Sequence, residues 1–106
     1  MKLRRVVVTG LGAVTPLGNS VPTYWDSLLN GVSGAAEITR FDHSKFKTHF
    51  ACEVKGFDPL DHWDRKEARK YDLFAQFGLV AAYQAVSDAH LDDEAINKER
   101  VGVIWA

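Results

Sequence analysis

The stretch from Arg5 to Gly18 constrains this chain more than any other. Val6, Val7 and Val8 are β-branched residues in succession, which predicts a strand covered on both faces rather than one with a wet side. Gly10, Gly12 and Gly18, with Pro16 between them, predict a sharp loop where the backbone takes positive φ or comes close to another element. A strand running into a glycine loop is a common opening for an α/β domain. The dinucleotide fingerprint needs a third glycine where this chain has Thr15, so that motif is incomplete. A nucleotide-binding domain is kept only as an alternative, to be tested by saturable binding of a labelled nucleotide.

Size and charge narrow the rest. A chain of 106 residues is enough for one modest domain with a core. The net charge of -1 provides no global field for nucleic acid or an anionic membrane, so a charged partner must meet a local patch. Thr9, Gly10, Gly12, Thr15 and Pro16 interrupt any signal-peptide core after Met1-Lys-Leu-Arg-Arg, and no apolar run reaches the ~20 residues of a membrane span. A single cysteine, Cys52, excludes an internal disulfide framework and fits a reducing cytoplasm.

After the loop, Asn19 or Ser20 is a helix cap with Pro22 in the first turn. Trp25, Leu28 and Leu29 share one helical face, predicted to cover a sheet, and Gly31 ends the element. Val32 to Thr48, seventeen residues without a clear period, reads as a structured excursion or functional loop. Phe50, Cys52 and Val54 alternate as one face of a strand, with Glu53 on the other. Cys52 is expected to be a small buried hydrophobe, since the neighbouring Glu53 disfavours a thiolate and no small-residue elbow follows.

Asp58-Pro59-Leu60 suggests a short turn or helical start before Asp61-His62-Trp63. Asp64 and Glu67 have capping-box spacing, and Leu73, Phe77, Ala81 and Ala85 mark the longest helix, ending near His90. Ala81, Ala82, Ala85 and Ala89 leave room for another backbone against it. Val101 to Ala106 reads as a second buried strand, inside which the sequence stops. Exposed apolar sheet surface is therefore expected for these residues taken alone. His43, His49, His62 and His90, spaced by six, thirteen and twenty-eight residues, match no metal motif.

One patch stands out for function. On an uninterrupted helix, Arg65, Lys66, Arg69 and Lys70 fall within about 140° of the wheel, as two interlocked like-charge pairs. Such pairs repel, and cations near a helix amino terminus oppose its dipole. Asp61, Asp64, Glu67 and Asp72 offset part of that cost, and composition alone allows a merely solvated face.

Several motifs recur together: Arg4 to Gly12 followed by Thr15-Pro16-Leu17-Gly18-Asn19, Trp25-x-x-Leu28-Leu29-x-Gly31, Gly31-x-Ser33-Gly34, Phe41-Asp42 and Arg65-Lys66-Glu67-x-Arg69-Lys70. In this order the chain resembles the β-ketoacyl-acyl-carrier-protein synthases, above all the elongating type II enzymes of bacterial fatty acid synthesis. The resemblance covers all 106 residues. It implies the N-terminal part of a thiolase-like α/β fold, with αβαβα layers in the complete enzyme, so residues 1–106 would be one N-terminal portion of the synthase N-terminal domain. It further implies a cytoplasmic homodimer that condenses acyl and malonyl thioesters without metal or organic cofactor. Lys66, Arg69 and Lys70 match the family's basic segment and would meet acyl carrier protein. The family's catalytic cysteine and two histidines correspond to no residue here, so these residues alone are expected to be inactive. A polyketide ketosynthase or chain-length factor, and a non-catalytic carrier-protein-binding module, are the alternatives.

Overall fold

Helices carry most of the regular structure. A computed structural model describes every residue from Met1 to Ala106. Its elements are α1 (Val21–Leu29), β1 (Ala36–Glu37), β2 (Phe50–Ala51), a 3-10 turn (Pro59–Asp61), α2 (Arg65–Ala68), α3 (Leu73–Asp88) and a second 3-10 turn (Lys98–Arg100). None of the helices is long and apolar enough to cross a membrane.

Local chemistry accounts for the helix ends. Ser20 caps α1 by accepting the Thr23 N–H at 3.4 Å, and Pro22 stands in the first turn. At the other end Val32 donates to the Ser27 carbonyl at 3.0 Å and Gly31 donates to that of Leu28 at 3.1 Å. Gly31 itself takes φ +65°, completing a Schellman motif. The end of α3 repeats this motif, with Leu91 on Val86 at 3.0 Å and His90 on Ser87 at 3.2 Å. There the left-handed position, φ 53°, is held by His90.

The glycine loop is built onto α3. A Cβ on Gly12 would collide with the Ala81 carbonyl oxygen and lie 2.9 Å from the Ala85 nitrogen, and one on Gly10 would lie 2.6 Å from the Ala89 nitrogen. The backbone that the alanines of α3 admit is therefore the loop itself. Leu11 N–H donates to Asp88 Oδ2 at 3.0 Å, and Ala13 N–H donates to Gln84 Oε1 at 3.0 Å. Gln84 Nε2 in turn donates to the Asn19 carbonyl at 2.7 Å. One side chain thus ties the middle of the loop and the residue just past it to one helix.

The strands differ from expectation. β1 and β2 pair antiparallel, with Ala36 opposite Ala51 and Glu37 opposite Phe50. The run from Phe50 to Val54 stops as a strand after Ala51 because its partner is only two residues long. Cys52, expected to be buried, is exposed, whereas Glu53 turns inward and accepts from Thr39 Oγ1 at 2.8 Å and, at 3.3 Å, from the backbone N–H groups of Thr39 and Arg40.

Val6 to Val8 and Val101 to Trp105 form no strand, and Val6 is 90% and Ile104 97% exposed. A strand exists only where a neighbour supplies the ladder, and no segment here pairs with either run. Without that sheet α1 has nothing to cover, and Trp25 and Leu29 remain exposed. Only Ala68, Gln76 and Val80 are buried. The radius of gyration is 17.6 Å, against about 13 Å for a compact domain of this size. Apolar surface is open as expected, but on runs that form no sheet.

Candidate functional site

The basic segment lies on a ledge held by aromatic packing. Asp58 Oδ1 accepts the Leu60 N–H at 2.9 Å and starts the 3-10 turn, which leads to His62 and Trp63. Phe57 stacks on His62 with centroids 5.7 Å apart and meets Phe77 of α3 edge-on at 4.9 Å. Trp63 packs near Tyr71 at 5.8 Å and Tyr83 at 6.5 Å. These contacts seat the turn and α2 against α3.

α2 is a single turn. Asp64 Oδ1 accepts the Glu67 N–H at 2.8 Å, forming half of the expected capping box. The other half is absent because the Glu67 carboxylate faces away, accepting from Lys70 Nζ at 2.6 Å and from Tyr71 Oη at 3.0 Å. Those bonds hold the Glu67 carboxyl below the usual carboxylate range, with the Lys70 bond the largest cause and the Tyr71 bond next. Its hydrogen bond to Glu67 likewise raises Lys70, as it does Tyr71.

The uninterrupted helical wheel expected for the basic residues is corrected by a break after Ala68. Arg69 is the C-cap of α2, and Lys70 lies in the turn that follows. The break is stabilised by Gln76, only 6% exposed, whose Nε2 donates to the Ala68 carbonyl at 2.9 Å and to the Tyr71 carbonyl at 3.3 Å. Asp72, in extended conformation, then starts α3. The dipole opposition expected at a helix amino terminus remains for Arg65 and Lys66, the first two residues of α2, but not for Arg69 and Lys70, which stand at the carboxyl end of the turn, where cations are favoured.

Lys66, Arg69 and Lys70 are all exposed, but they are not equivalent. Lys70 is ion-paired with Glu67. Arg65, Lys66 and Arg69 make no ion pair, so three cations without counter-charge occupy little more than one turn. Exposed cations so placed can act on an anionic surface through long-range attraction without being buried.

No nucleophile–base pair accompanies this patch. Cys52 forms no hydrogen bond to a histidine; His62 is stacked on Phe57, and His90 ends α3. His43 and His49, separate in the sequence, are brought together with Nδ1 atoms 2.9 Å apart. No group of three or more metal-ligating side chains converges. The glycine loop makes no anion cradle either: Leu11 and Ala13 N–H groups go to α3, while Leu17 and Gly18 donate to Thr15 Oγ1 at 3.1 Å each.

Sequence reasoning missed Gln76, Gln84 and Asp88, which fasten the basic segment and the loop. A signal was available for two of them. Ala81, Gln84, Ala85 and Asp88 follow i, i+3, i+4, i+7 spacing, so they form a single stripe in which small residues admit a backbone and polar ones bond to it.

Comparison with known proteins agrees with this organisation. The family described as "Beta-ketoacyl synthase, N-terminal domain" matches residues 3–106. The chain is 48% identical over 100 residues to 3-oxoacyl-(acyl-carrier-protein) synthase 2 of Staphylococcus aureus (strain COL), covering 94% of this chain and 24% of that protein. It is 52% identical over 103 residues to the protein of the same name from Coxiella burnetii (strain RSA 493 / Nine Mile phase I), covering 97% and 25%. Among solved structures, the ishigamide ketosynthase/chain length factor superposes with a TM-score of 0.71 at 35% identity, over 93% of this chain and 23% of that one. The chain spans about a quarter of the length of the curated relatives it matches. With nearly every residue matched and the thiolase-like arrangement of loop and helices reproduced, this chain belongs to the β-ketoacyl synthase N-terminal domain family.

Proposed function

We propose that residues 1–106 are the N-terminal portion of a β-ketoacyl-acyl-carrier-protein synthase of fatty acid biosynthesis. The complete enzyme extends an acyl chain by decarboxylative Claisen condensation of an acyl-enzyme with malonyl-carrier protein. It works as a cytoplasmic homodimer, with cysteine as acyl carrier and two histidines assisting decarboxylation, all supplied from outside these residues. Within them the roles are scaffold and docking. The glycine loop fixes the first layer of the fold, and Lys66, Arg69 and Lys70 receive the acidic face of acyl carrier protein.

The observation that carries the docking role is the exposed group of cations held on a ledge by Asp64, Gln76 and the Trp63 cluster. Charge reversal of Lys66 and Arg69 in the intact protein tests it. Association with acyl carrier protein should slow, and its dependence on ionic strength should flatten. Unchanged association and salt dependence would overturn the docking role. Condensation of an acyl thioester with malonyl-carrier protein by the intact protein tests the activity separately.

A second reading is a polyketide ketosynthase or chain-length factor, favoured by the structural likeness to the ishigamide complex. The higher identity to the two synthases supports the fatty acid reading. Product analysis with malonyl-carrier protein separates them, because a fatty acid synthase accepts saturated acyl primers and a chain-length factor alone forms no product.

A further inference from the structure

The segment between β1 and β2 holds a constellation that docking and scaffolding do not use. Pairing of Glu37 with Phe50 and the 3.0 Å bond from Ile38 N–H to the His49 carbonyl close the ends of the segment. Phe46 N–H bonds the His43 carbonyl at 3.0 Å, and Phe41 meets Phe46 edge-on at 5.5 Å. This folding turns the His43 ring toward both ends. Its Nε2 is 3.2 Å from Glu37 Oε1, and its Nδ1 is 2.9 Å from Nδ1 of His49.

We propose that His43 and His49 form a two-imidazole site for a borderline divalent ion such as Zn2+ or Cu2+, with Glu37 orienting His43 from behind. Imidazole nitrogen suits these ions, whereas oxygen-seeking Mg2+ finds no oxygen ligand between the rings. With Nε2–H donated to Glu37, neutral His43 presents its Nδ1 lone pair to His49. That carboxylate–histidine arrangement is the one that fixes tautomer and ring orientation in metal sites. Without an ion, His49 must place its proton on Nδ1 to bond His43. On binding, His49 carries that proton on Nε2 instead, so two lone pairs face the ion. Two Zn–N bonds at a tetrahedral angle set the nitrogens about 3.3 Å apart. Opening from 2.9 Å therefore needs the nitrogens to part by about half an ångström and both rings to turn so that their lone pairs meet off the N–N line, with His49 exposed and the His43 side chain 16% exposed. Water completes the coordination, and the ion staples the segment closed.

The test is titration of the intact protein with Zn2+ alone, read by calorimetry, beside a His43→Gln/His49→Gln double variant and Glu37→Gln. The wild type should bind one more equivalent than the double variant. Glu37→Gln should keep that equivalent with affinity lowered about tenfold. Cu2+ should bind more tightly than Zn2+, with two imidazole nitrogens in its paramagnetic resonance spectrum, and Mg2+ should not compete. Equal stoichiometry in the wild type and a double variant with an unchanged circular dichroism spectrum would overturn the proposal. So would unaltered affinity in Glu37→Gln, or a Cu2+ spectrum without the two nitrogens, neither of which depends on the double variant folding.

Discussion

Gly12 lies against Ala81 so closely that a single added methyl would collide with the Ala81 carbonyl oxygen. The contact joins the glycine loop to α3, and through α3 to the ledge carrying the basic residues. Gly12→Ala cannot be relieved by moving a flexible side chain, because the obstruction is backbone. The expected loss is about 3 kcal/mol or more, measured by denaturant unfolding of the intact protein. A loss below 1 kcal/mol would show that loop and helix separate easily.

Gln76 is predicted to support the docking ledge without facing the partner. Gln76→Leu removes the donor to the Ala68 and Tyr71 carbonyls, leaving the part-buried Tyr71 carbonyl without this partner and Ala68 with only the 3.4 Å bond from Tyr71 N–H, at a cost of about 1–3 kcal/mol. Amide exchange should accelerate from Arg65 to Tyr71 more than in α1. Uniform exchange across both regions would contradict this placement.

Among the basic residues, Lys70→Ala should slow association with acyl carrier protein less than Lys66→Ala or Arg69→Ala. Lys70 is already partnered by Glu67 at 2.6 Å, whereas the other two have no counter-charge. Stopped-flow association at low and high salt ranks the three, and an equal or larger effect at Lys70 would refute the distinction.

The Glu67 cluster sets a pH window. Glu67 titrates below its ordinary range, chiefly through Lys70 and then Tyr71, so its contribution is complete above the unfolded carboxylate pKa of about 4.3 and is lost as pH falls through the lower folded value. Lys70 and Tyr71 titrate above their ordinary ranges, each chiefly through its hydrogen bond to Glu67. Their contributions are complete below the unfolded values of about 10.4 and 10 and are lost as pH rises through the folded ones. The effect should be modest and salt-sensitive at this surface position. Stability profiles of wild type and Glu67→Gln should converge at both extremes and separate between them; parallel profiles throughout would exclude the coupling.

The two helix C-termini give opposite expectations. Gly31→Ala forces a Cβ into φ +65°, and His90→Gly removes one from φ 53°. The first should destabilise and the second stabilise, each by about 1 kcal/mol. Thermal unfolding of the intact protein reads both signs.

What the sequence determined by itself was local. Ser20 and Pro22 start α1 and Gly31 ends it, because capping and left-handed geometry depend on a few adjacent residues. The alanines of α3 also announced a close backbone, and the ordered motifs identified the family. Tertiary structure decided which groups meet across the chain. It brought the Gln84 side chain to Ala13 and Asn19, turned Gln76 onto the end of α2 and joined His43 to His49. It also left Val6 to Val8 and Val101 to Trp105 without strands and Cys52 exposed. Apolar runs report a tendency to be covered, but a strand and its burial exist only where another segment provides the ladder and the cover.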